Sequence, residues 1–169
     1  MKIIVETKYD FPAMKALARG LRKTVRKKHS RRSHFIGWAV VILGILLLLS
    51  GSEWNNRSAV TAIAVVAIFL VLCFEDALNG WIALRRGIPG LYSSVSEFTS
   101  EDYSSKTEIG ESRFSYENIR MIAETKTYFI LVIGPNHGQV YSKKGISDGT
   151  EQELRCLLEA KTGRSMEQV

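Results

Sequence analysis

Two long apolar runs without charged residues dominate the first half of the chain. They cover residues 35–49 and 59–74, and uncharged neighbours lengthen both. A helix that crosses a bilayer needs about 20 predominantly apolar residues, whereas a core helix of a soluble protein keeps a polar face. Neither run has such a face. The pattern therefore predicts two membrane-spanning helices, at about residues 33–50 and 58–76.

The residues that flank the two runs predict their orientation. Residues 50–58 form a short polar connection, so the helices are expected to form an antiparallel hairpin. A group of seven bases, termed the basic cluster, precedes the first run and consists of Arg22, Lys23, Arg26, Lys27, Lys28, Arg31 and Arg32. The connection holds only Arg57 as a base. Because basic loops stay cytoplasmic, we expect a multi-pass protein of the cell membrane with both termini in the cytoplasm.

A cleaved signal peptide is the alternative for the first run. The basic region of a signal peptide is normally short, and a processing site follows its apolar run. Here the segment before the first run is 32 residues long, and a second apolar run follows the first. Trp38, Trp54 and Trp81 fall near the predicted boundaries of the spans, where aromatic residues are enriched. Both observations favour a membrane hairpin.

An acidic pair, Glu75 and Asp76, ends the second run abruptly. Carboxylates in this position mark the boundary with water, or they bind a cation or relay protons. Their place at the end of the run favours the boundary. Beyond them, apolar and polar residues recur at helical spacing up to Arg86, which predicts an amphipathic helix at the membrane surface.

The segment before the first run has the pattern of a strand followed by a helix. Residues 2–7 are typical of a short strand. From Phe11 onward, apolar residues recur every three or four positions, with Asp10 placed to cap the helix and Pro12 in its first turn. We therefore expect an amphipathic helix over residues 11–32 that continues into the first membrane helix.

Charged residues, like apolar ones, are distributed unevenly along the chain. The net charge is +6, yet residues 1–32 contain 11 of the 23 bases and two of the 17 acids. A base near an anionic membrane surface gains about 1 kcal/mol, so the basic cluster is expected to contact anionic lipid headgroups. Nucleic acid is the alternative partner. It is disfavoured because no recognition motif and no interleaved aromatic residue accompany the cluster.

The second half of the chain has the period-two alternation of strands. Strands are predicted at residues 97–99, 103–109, 112–116, 118–124, 127–133 and 139–142. A helix over residues 150–161 follows, with Thr150 as its N-cap and Gly163 at its end. This layout is that of a small antiparallel β domain closed by one C-terminal helix.

The chain as a whole is therefore expected to be an α+β membrane protein with three parts. Residues 1–32 form a strand and a basic helix, residues 33–86 the transmembrane hairpin with its surface helix, and residues 88–169 a cytoplasmic domain. The N-terminal strand is expected to join the sheet of that domain.

The order of elements resembles the YcxB-like family of small bacterial membrane proteins. The similarity is greatest at residues 114–119 (FSYENI), 122–125 (IAET) and 128–131 (YFIL). Residues 142–146 (SKKGI) occupy the place of a basic turn in the family, without its Pro and with Ile for its Phe. The resemblance implies a pleckstrin-homology-like C-terminal domain, and it brings no enzymatic activity.

Candidate chemistry is sparse. Cys73 and Cys156 are too few for a disulfide scaffold and are expected to be small buried hydrophobic residues. The three histidines lack the spacing of a metal site, and no catalytic motif occurs. We therefore expect a non-enzyme without cofactor or metal.

Two basic side chains near the end of the last strand are candidates for binding. Lys143 and Lys144 could contact an anion or a protein partner, and a plain solvated turn is the alternative. Glu124 is expected to pair with Lys126 in an exposed turn, where an ion pair contributes little.

These observations predict a membrane-anchored, non-enzymatic interaction module with an unidentified protein partner, which can form a homo-oligomer. The partner is expected to meet strand edges or the Lys143–Lys144 turn. An immunity protein that neutralises a membrane-acting antibacterial toxin is the alternative. A transporter or channel subunit is the least favoured, because two helices without polar residues in mid-span cannot line a pore unless many copies assemble.

Overall fold

The computed structural model describes residues 2–51, 55–87 and 91–169 and has an α+β fold. Its helices are α1 (Phe11–Lys23), α2 (Lys27–Ser50), α3 (Asn56–Cys73), α4 (Glu75–Arg85) and α5 (Glu151–Thr162). Its strands are β1 (Ile3–Lys8), β2 (Ser93–Phe98), β3 (Tyr103–Thr107), β4 (Gly110–Phe114), β5 (Met121–Glu124), β6 (Tyr128–Gly134), β7 (His137–Ser142), β8 (Ile146–Asp148) and β9 (Glu167–Gln168). Single 3-10 turns lie at Tyr116–Asn118 and Lys143–Gly145.

The strands form two sheets that meet along β1 and β7. Sheet A has the order β4-β3-β2-β1-β8, and sheet B has the order β7-β6-β5-β9. The pairings are antiparallel except that of β5 with β9. The Ser142 N–H, at the end of β7, donates to Thr7 Oγ1 on β1 at 3.0 Å. The two sheets therefore enclose a common core.

β1 lies inside sheet A although α1 to α4 separate it from β2 in the chain. It pairs with β2 over its whole length, from Ile3↔Phe98 to Lys8↔Ser93. The prediction that the N-terminal strand joins the sheet of the C-terminal half is confirmed. The four helices are thus inserted in the chain between two strands that are neighbours in the sheet.

Aromatic side chains fill the core between the sheets. The Phe98 ring stacks on Tyr103 with centroids 5.4 Å apart and meets Tyr141 edge-on at 5.0 Å. Leu154 and Leu158 of α5 are fully buried and close the core. Alternating inward residues of β2 and β3 thus account for the strand pattern of the sequence.

Three buried tyrosines predict how the fold responds to alkali. Burial raises the pKa of Tyr103, Tyr116 and Tyr141 above the ordinary value of 10.0. In the range between the ordinary and the raised pKa, the folded chain retains protons that the unfolded chain loses. The contribution of these tyrosines to the free energy of unfolding is therefore constant below about pH 10 and falls as the pH rises above it.

Urea unfolding at a series of pH values from about 8 to 11 measures this decline. Tyr141→Phe should make the dependence shallower. Tyr92→Phe is the matched control, since the Tyr92 side chain is 73% exposed, and should leave the dependence unchanged. A free energy of unfolding that stays constant over the whole series would contradict the prediction.

A second core lies on the other face of sheet B, where α1 packs. Ala13 and Leu21 of α1 are buried against Ile130, Val132 and Val140. The predicted domain limits at residues 32 and 88 stay predictions. In the packing, however, β1 and α1 share their cores with residues 93–169.

α2 and α3 are the two helices long and apolar enough to cross a membrane. Their mean hydropathies are 2.2 and 2.0, with 11% and 0% of the residues buried. They approach closely at small residues, because a Cβ at Gly44 would lie 2.3 Å from Val65 and one at Gly37 would lie 2.7 Å from Leu72. Beyond the basic and polar first turns of α2 and the polar first turn of α3, the rest of their surface is apolar and mostly exposed. Trp54, predicted at the outer boundary, lies outside the described residues.

The prediction of one continuous helix over residues 11–32 is wrong. α1 ends at Lys23, because Thr24 leaves the helical conformation with φ −100° and ψ −99°, and the Arg26 N–H then donates to the Leu21 carbonyl, five positions back, at 3.0 Å. α2 then begins at Lys27. α1 must follow sheet B to bury Leu21, whereas α2 leaves the sheets, so a break is required between them.

Candidate functional site

The acidic pair after α3 belongs to a group of side chains that joins α1, α2 and α4. The Arg22 guanidinium donates from Nε to Asp76 Oδ1 at 2.6 Å and from Nη2 to Asp76 Oδ2 at 2.7 Å. Glu75 Oε2 lies 2.6 Å from His34 Nε2, 3.5 Å from Ser30 Oγ and 3.7 Å from Arg22 Nε. These five residues are termed the junction cluster.

The junction cluster also matches the dipoles of the helices that it joins. Arg22 lies in the last turn of α1, and Glu75 and Asp76 lie in the first turn of α4, where their charges oppose the partial charges of the helix ends. The hydrogen bond that Arg22 donates to Asp76 raises the pKa of the Arg22 guanidinium. Both carboxylates have partners on other helices, which favours a structural role over binding of a cation.

α4 packs on α1 through a glycine near its middle. A Cβ at Gly80 would lie 2.7 Å from the backbone N of Lys15 and 2.8 Å from its Cα, so the two backbones are in direct contact. Leu78 and Trp81 of α4 are 38% and 47% exposed, and the Arg85 guanidinium lies 4.5 Å above the Trp81 ring. α4 is therefore held by α1 on one side and exposes apolar side chains on another.

The basic cluster is divided between internal contacts and exposed charge. Arg22 belongs to the junction cluster. Arg26 Nε donates to the Pro135 carbonyl at 2.7 Å, and its Nη2 donates to the Asn136 side chain, both in the turn between β6 and β7. The other five bases have no carboxylate within 4 Å in the described parts of the chain: Lys23, Lys27, Lys28, Arg31 and Arg32. The charges of these five side chains are therefore available to bind an anionic ligand or surface.

Two surface pockets adjoin these five bases. One of about 490 Å³ has Lys23, Lys27 and Arg31 on one wall and Glu167–Gln168 with Val169 on the other. The second has Lys28, Arg31 and Arg32 beside Phe35 and Ile36, the first apolar residues of α2. Cations directly next to exposed apolar side chains are the arrangement that anionic lipid headgroups and their chains would meet.

A buried carboxylate, Glu124 at the end of β5, organises a second polar cluster. Its Oε2 accepts hydrogen bonds from Lys143 Nζ and Arg155 Nη2, both at 2.7 Å, and Gln168 donates to Oε1. The Lys143 ammonium also lies 4.7 Å above the Phe129 ring. Glu124 is fully buried, and it ties β5 to α5, to the end of β7 and to β9.

The predicted ion pair of Glu124 with Lys126 is wrong. Lys126 is exposed in the turn between β5 and β6, whereas the last residue of β5 points into the fold. Lys143, predicted as an anion or partner contact together with Lys144, is buried with its ammonium bound to Glu124. Lys144 is exposed and lines a hollow of about 350 Å³. Of the two lysines, Lys144 is therefore the one whose ammonium group is accessible to an anion or a partner.

The expectation that both cysteines are buried is also wrong. Cys73 and Cys156 are exposed. α3 is covered on the side of α2 alone, and Cys156 lies on the side of α5 opposite Leu154 and Leu158. Within residues 2–51, 55–87 and 91–169, no three His, Cys, Asp or Glu side chains come together as metal ligands.

The second half of the chain contains a match to a known family. Residues 98–158 match the family model described as YcxB-like protein. These residues form a YcxB-like domain. The YcxB-like domain runs from the end of β2 into α5 and includes Glu124, Lys143 and Arg155. The predicted resemblance is confirmed for this region, while neither a curated protein nor a solved structure matches the chain.

Proposed function

We propose that the protein is a membrane-anchored, non-enzymatic interaction module. In this proposal α2 and α3 cross the cell membrane as a hairpin, both termini are cytoplasmic, and the YcxB-like domain with β1 and α1 presents a binding surface. The apolar, exposed sides of α2 and α3 support the membrane anchor, since a soluble fold would bury them.

The observation that carries the topology is the pairing of β1 with β2. β1 precedes α2 and α3, β2 follows them, and the two strands are hydrogen-bonded neighbours. The Tyr9 N–H also donates to the Tyr92 carbonyl at 2.8 Å, beyond the end of the pairing. A chain that leaves and re-enters the same sheet must have both ends of its hairpin on one side of the membrane.

The strand order supports a pleckstrin-homology-like barrel as the binding domain. β1 to β4 are neighbours in sheet A, β5 to β7 are neighbours in sheet B, and α5 closes the core between them. Seven antiparallel strands in two sheets followed by a helix are the layout of that fold. In this chain the hairpin is inserted between its first and second strands.

The junction cluster and Gly80 support a domain that is held rigidly at the membrane rather than tethered by a linker. Arg22 and Asp76 connect α1 to α4 just beyond the end of α3, and Gly80 brings the same two helices into backbone contact. The five bases without internal partners would then lie at the headgroup level, each contributing about 1 kcal/mol on an anionic surface.

Reversing the charge of these five bases should invert or scramble the insertion of the hairpin, because basic residues hold a segment in the cytoplasm. The change is Lys23, Lys27, Lys28, Arg31 and Arg32 to Glu, with Arg22 and Arg26 kept for their contacts inside the fold. Cys156 serves as reporter in a Cys73→Ala background. In spheroplasts, a membrane-impermeant maleimide should label Cys156 in the reversed variant but not in the unreversed protein.

A matched control reverses five exposed lysines away from the membrane helices, namely Lys8, Lys106, Lys126, Lys144 and Lys161. This control should keep Cys156 protected until the membrane is permeabilised. Labelling of Cys156 in intact spheroplasts of the unreversed protein, or release of that protein from membranes by alkaline carbonate, would overturn the proposal.

A further inference from the structure

β4 is an open edge of sheet A. It pairs with β3 in uninterrupted register from Tyr103↔Phe114 to Thr107↔Gly110, and among the described residues no strand follows it in the sheet. Residues 110–113 are exposed, and Phe114 is half-buried. β4 contains no Pro or bulge of the kind that usually protects an edge strand from pairing with another chain, and its two charged residues, Glu111 and Arg113, have opposite signs.

The register of the hairpins fixes which backbone groups of β4 are free. The Thr99 N–H donates to the Asp102 carbonyl at 3.0 Å, which makes 99 and 102 a hydrogen-bonded pair of β2 and β3. Hydrogen-bonded and non-hydrogen-bonded pairs alternate along antiparallel strands. The backbone groups of Ser104 and Lys106 therefore bond to β2. Those of Tyr103, Ser105 and Thr107, which alternate with them, bond to β4.

The same alternation continues into β4. Gly110, Ser112 and Phe114 face Thr107, Ser105 and Tyr103, so these three use their backbone groups toward β3. The N–H and C=O groups of Glu111 and Arg113 consequently point outward, away from the sheet. A strand added at this edge must bond to these two residues.

If β4 of one copy pairs with β4 of a second copy, one register brings the free backbone groups together and also places opposite charges opposite each other. An antiparallel pair centred on Ser112 sets Glu111 of one copy against Arg113 of the other, twice. Both are hydrogen-bonded pairs, so four backbone hydrogen bonds form. Registers centred on Glu111 or Arg113 place like charges opposite each other, which is destabilising.

The side chains are available for this pairing. Arg113 is 73% exposed, and its one ion pair in the described chain, with Asp102 at 3.4 Å, is at the surface, where such pairs contribute little. Glu111 is exposed on the same face of the sheet. Charge complementarity thus favours a second copy of the chain as the occupant of this edge.

The symmetry is compatible with two copies in one membrane. A two-fold axis that relates antiparallel edge strands runs normal to the sheet. Sheet A, sheet B, α1 and α4 lie in that order in the fold, so an axis normal to sheet A runs along this order. Both copies then present α4 on the same side of the continued sheet.

We propose that the protein forms a homodimer by antiparallel pairing of β4 with β4 of a second copy about Ser112, with reciprocal Glu111–Arg113 pairs. Sheet A then continues across the dimer. This inference goes beyond the proposed function because it names the partner of one strand edge.

A charge-swap series on the full-length protein in detergent micelles tests the pairing. Glu111→Arg and Arg113→Glu each place like charges opposite each other and should raise the dimer dissociation constant roughly tenfold. The double variant Glu111→Arg/Arg113→Glu restores opposite charges and should dimerise like the original protein. A mixture of the two single variants should form the heterodimer. Glu117→Arg and Lys126→Glu, exposed changes away from β4, should have no effect in light scattering.

A cross-link tests the register independently of charge. In a Cys73→Ala/Cys156→Ala background, Ser112→Cys should form an intermolecular disulfide under mild oxidation, because Cα atoms of a non-hydrogen-bonded pair are about 4.5 Å apart. Ser100→Cys, exposed in the turn between β2 and β3, should not.

A protein that is monomeric at every concentration, a dimer that neither single variant weakens, or a double variant that does not recover would each overturn the proposal. Pairing of this edge with a strand of another protein would appear as a monomer without a Ser112→Cys cross-link and would overturn it as well.

Discussion

Replacing Glu124 by alanine is expected to lower the free energy of unfolding by about 3–5 kcal/mol, because it leaves the buried Lys143 ammonium and the half-buried Arg155 guanidinium without their counter-charge. Lys143 has 7% of its side chain exposed, and Arg155 has 33%. Both donate to Glu124 Oε2, and neither can recover full hydration in the folded chain. The loss should reach α5 and the end of β7, which these two residues connect to β5.

Urea unfolding of the full-length protein in micelles, followed by the near-ultraviolet circular dichroism of the core tyrosines, measures the effect. Glu151→Ala is the matched control. Its carboxylate lies 3.8 Å from Lys143 Nζ but is 56% exposed, so its loss should cost less than about 1 kcal/mol. Equal destabilisation by the two changes would show that burial of the carboxylate is not what matters.

The elements of the YcxB-like domain could be predicted from local patterns. β6 carries a run of apolar and β-branched residues, and α5 begins with a capping box in which Thr150 and Glu153 exchange hydrogen bonds. Such signals depend on neighbouring residues alone. The predicted strand at 118–124 proved shorter, because Tyr116–Asn118 close a 3-10 turn that Ser115 caps.

The polar clusters could not be predicted in the same way. Glu124 meets Lys143 and Arg155, which are 19 and 31 positions away, whereas the wrong prediction chose Lys126, two positions away. Only the folding of β5, β7 and α5 against one another sets those distances. A carboxylate at the end of an apolar strand was the one signal that could have indicated burial.

The junction cluster illustrates the same limit. The sequence placed the basic cluster before the first apolar run and the acidic pair after the second, each as a boundary. Arg22 and Asp76 are 54 positions apart, so their pairing follows from the helical hairpin that brings both ends back together. Gly80 gave no signal at all, because a glycine inside an amphipathic pattern also occurs where nothing packs closely.

Replacing Gly80 by valine is expected to separate α4 from α1 and to cost about 3 kcal/mol of stability. A Cβ there would meet the backbone N and Cα of Lys15 at 2.7 and 2.8 Å, and backbone atoms cannot move aside as a flexible side chain can. The helix itself would gain, since valine has a higher helix propensity than glycine. The loss therefore reports on packing alone.

Asn79→Val is the matched control, because Asn79 is exposed on the same helix and receives the same side chain. It should change the free energy of urea unfolding by less than about 0.5 kcal/mol, whereas Gly80→Val should also make α4 accessible to limited proteolysis. If α4 merely rested on lipid, both variants would behave alike, and the rigid attachment of the domain to the hairpin would be refuted. If Gly80→Val alone loosens α4, the contact of α1 with α4 is what holds the domain against the hairpin of α2 and α3.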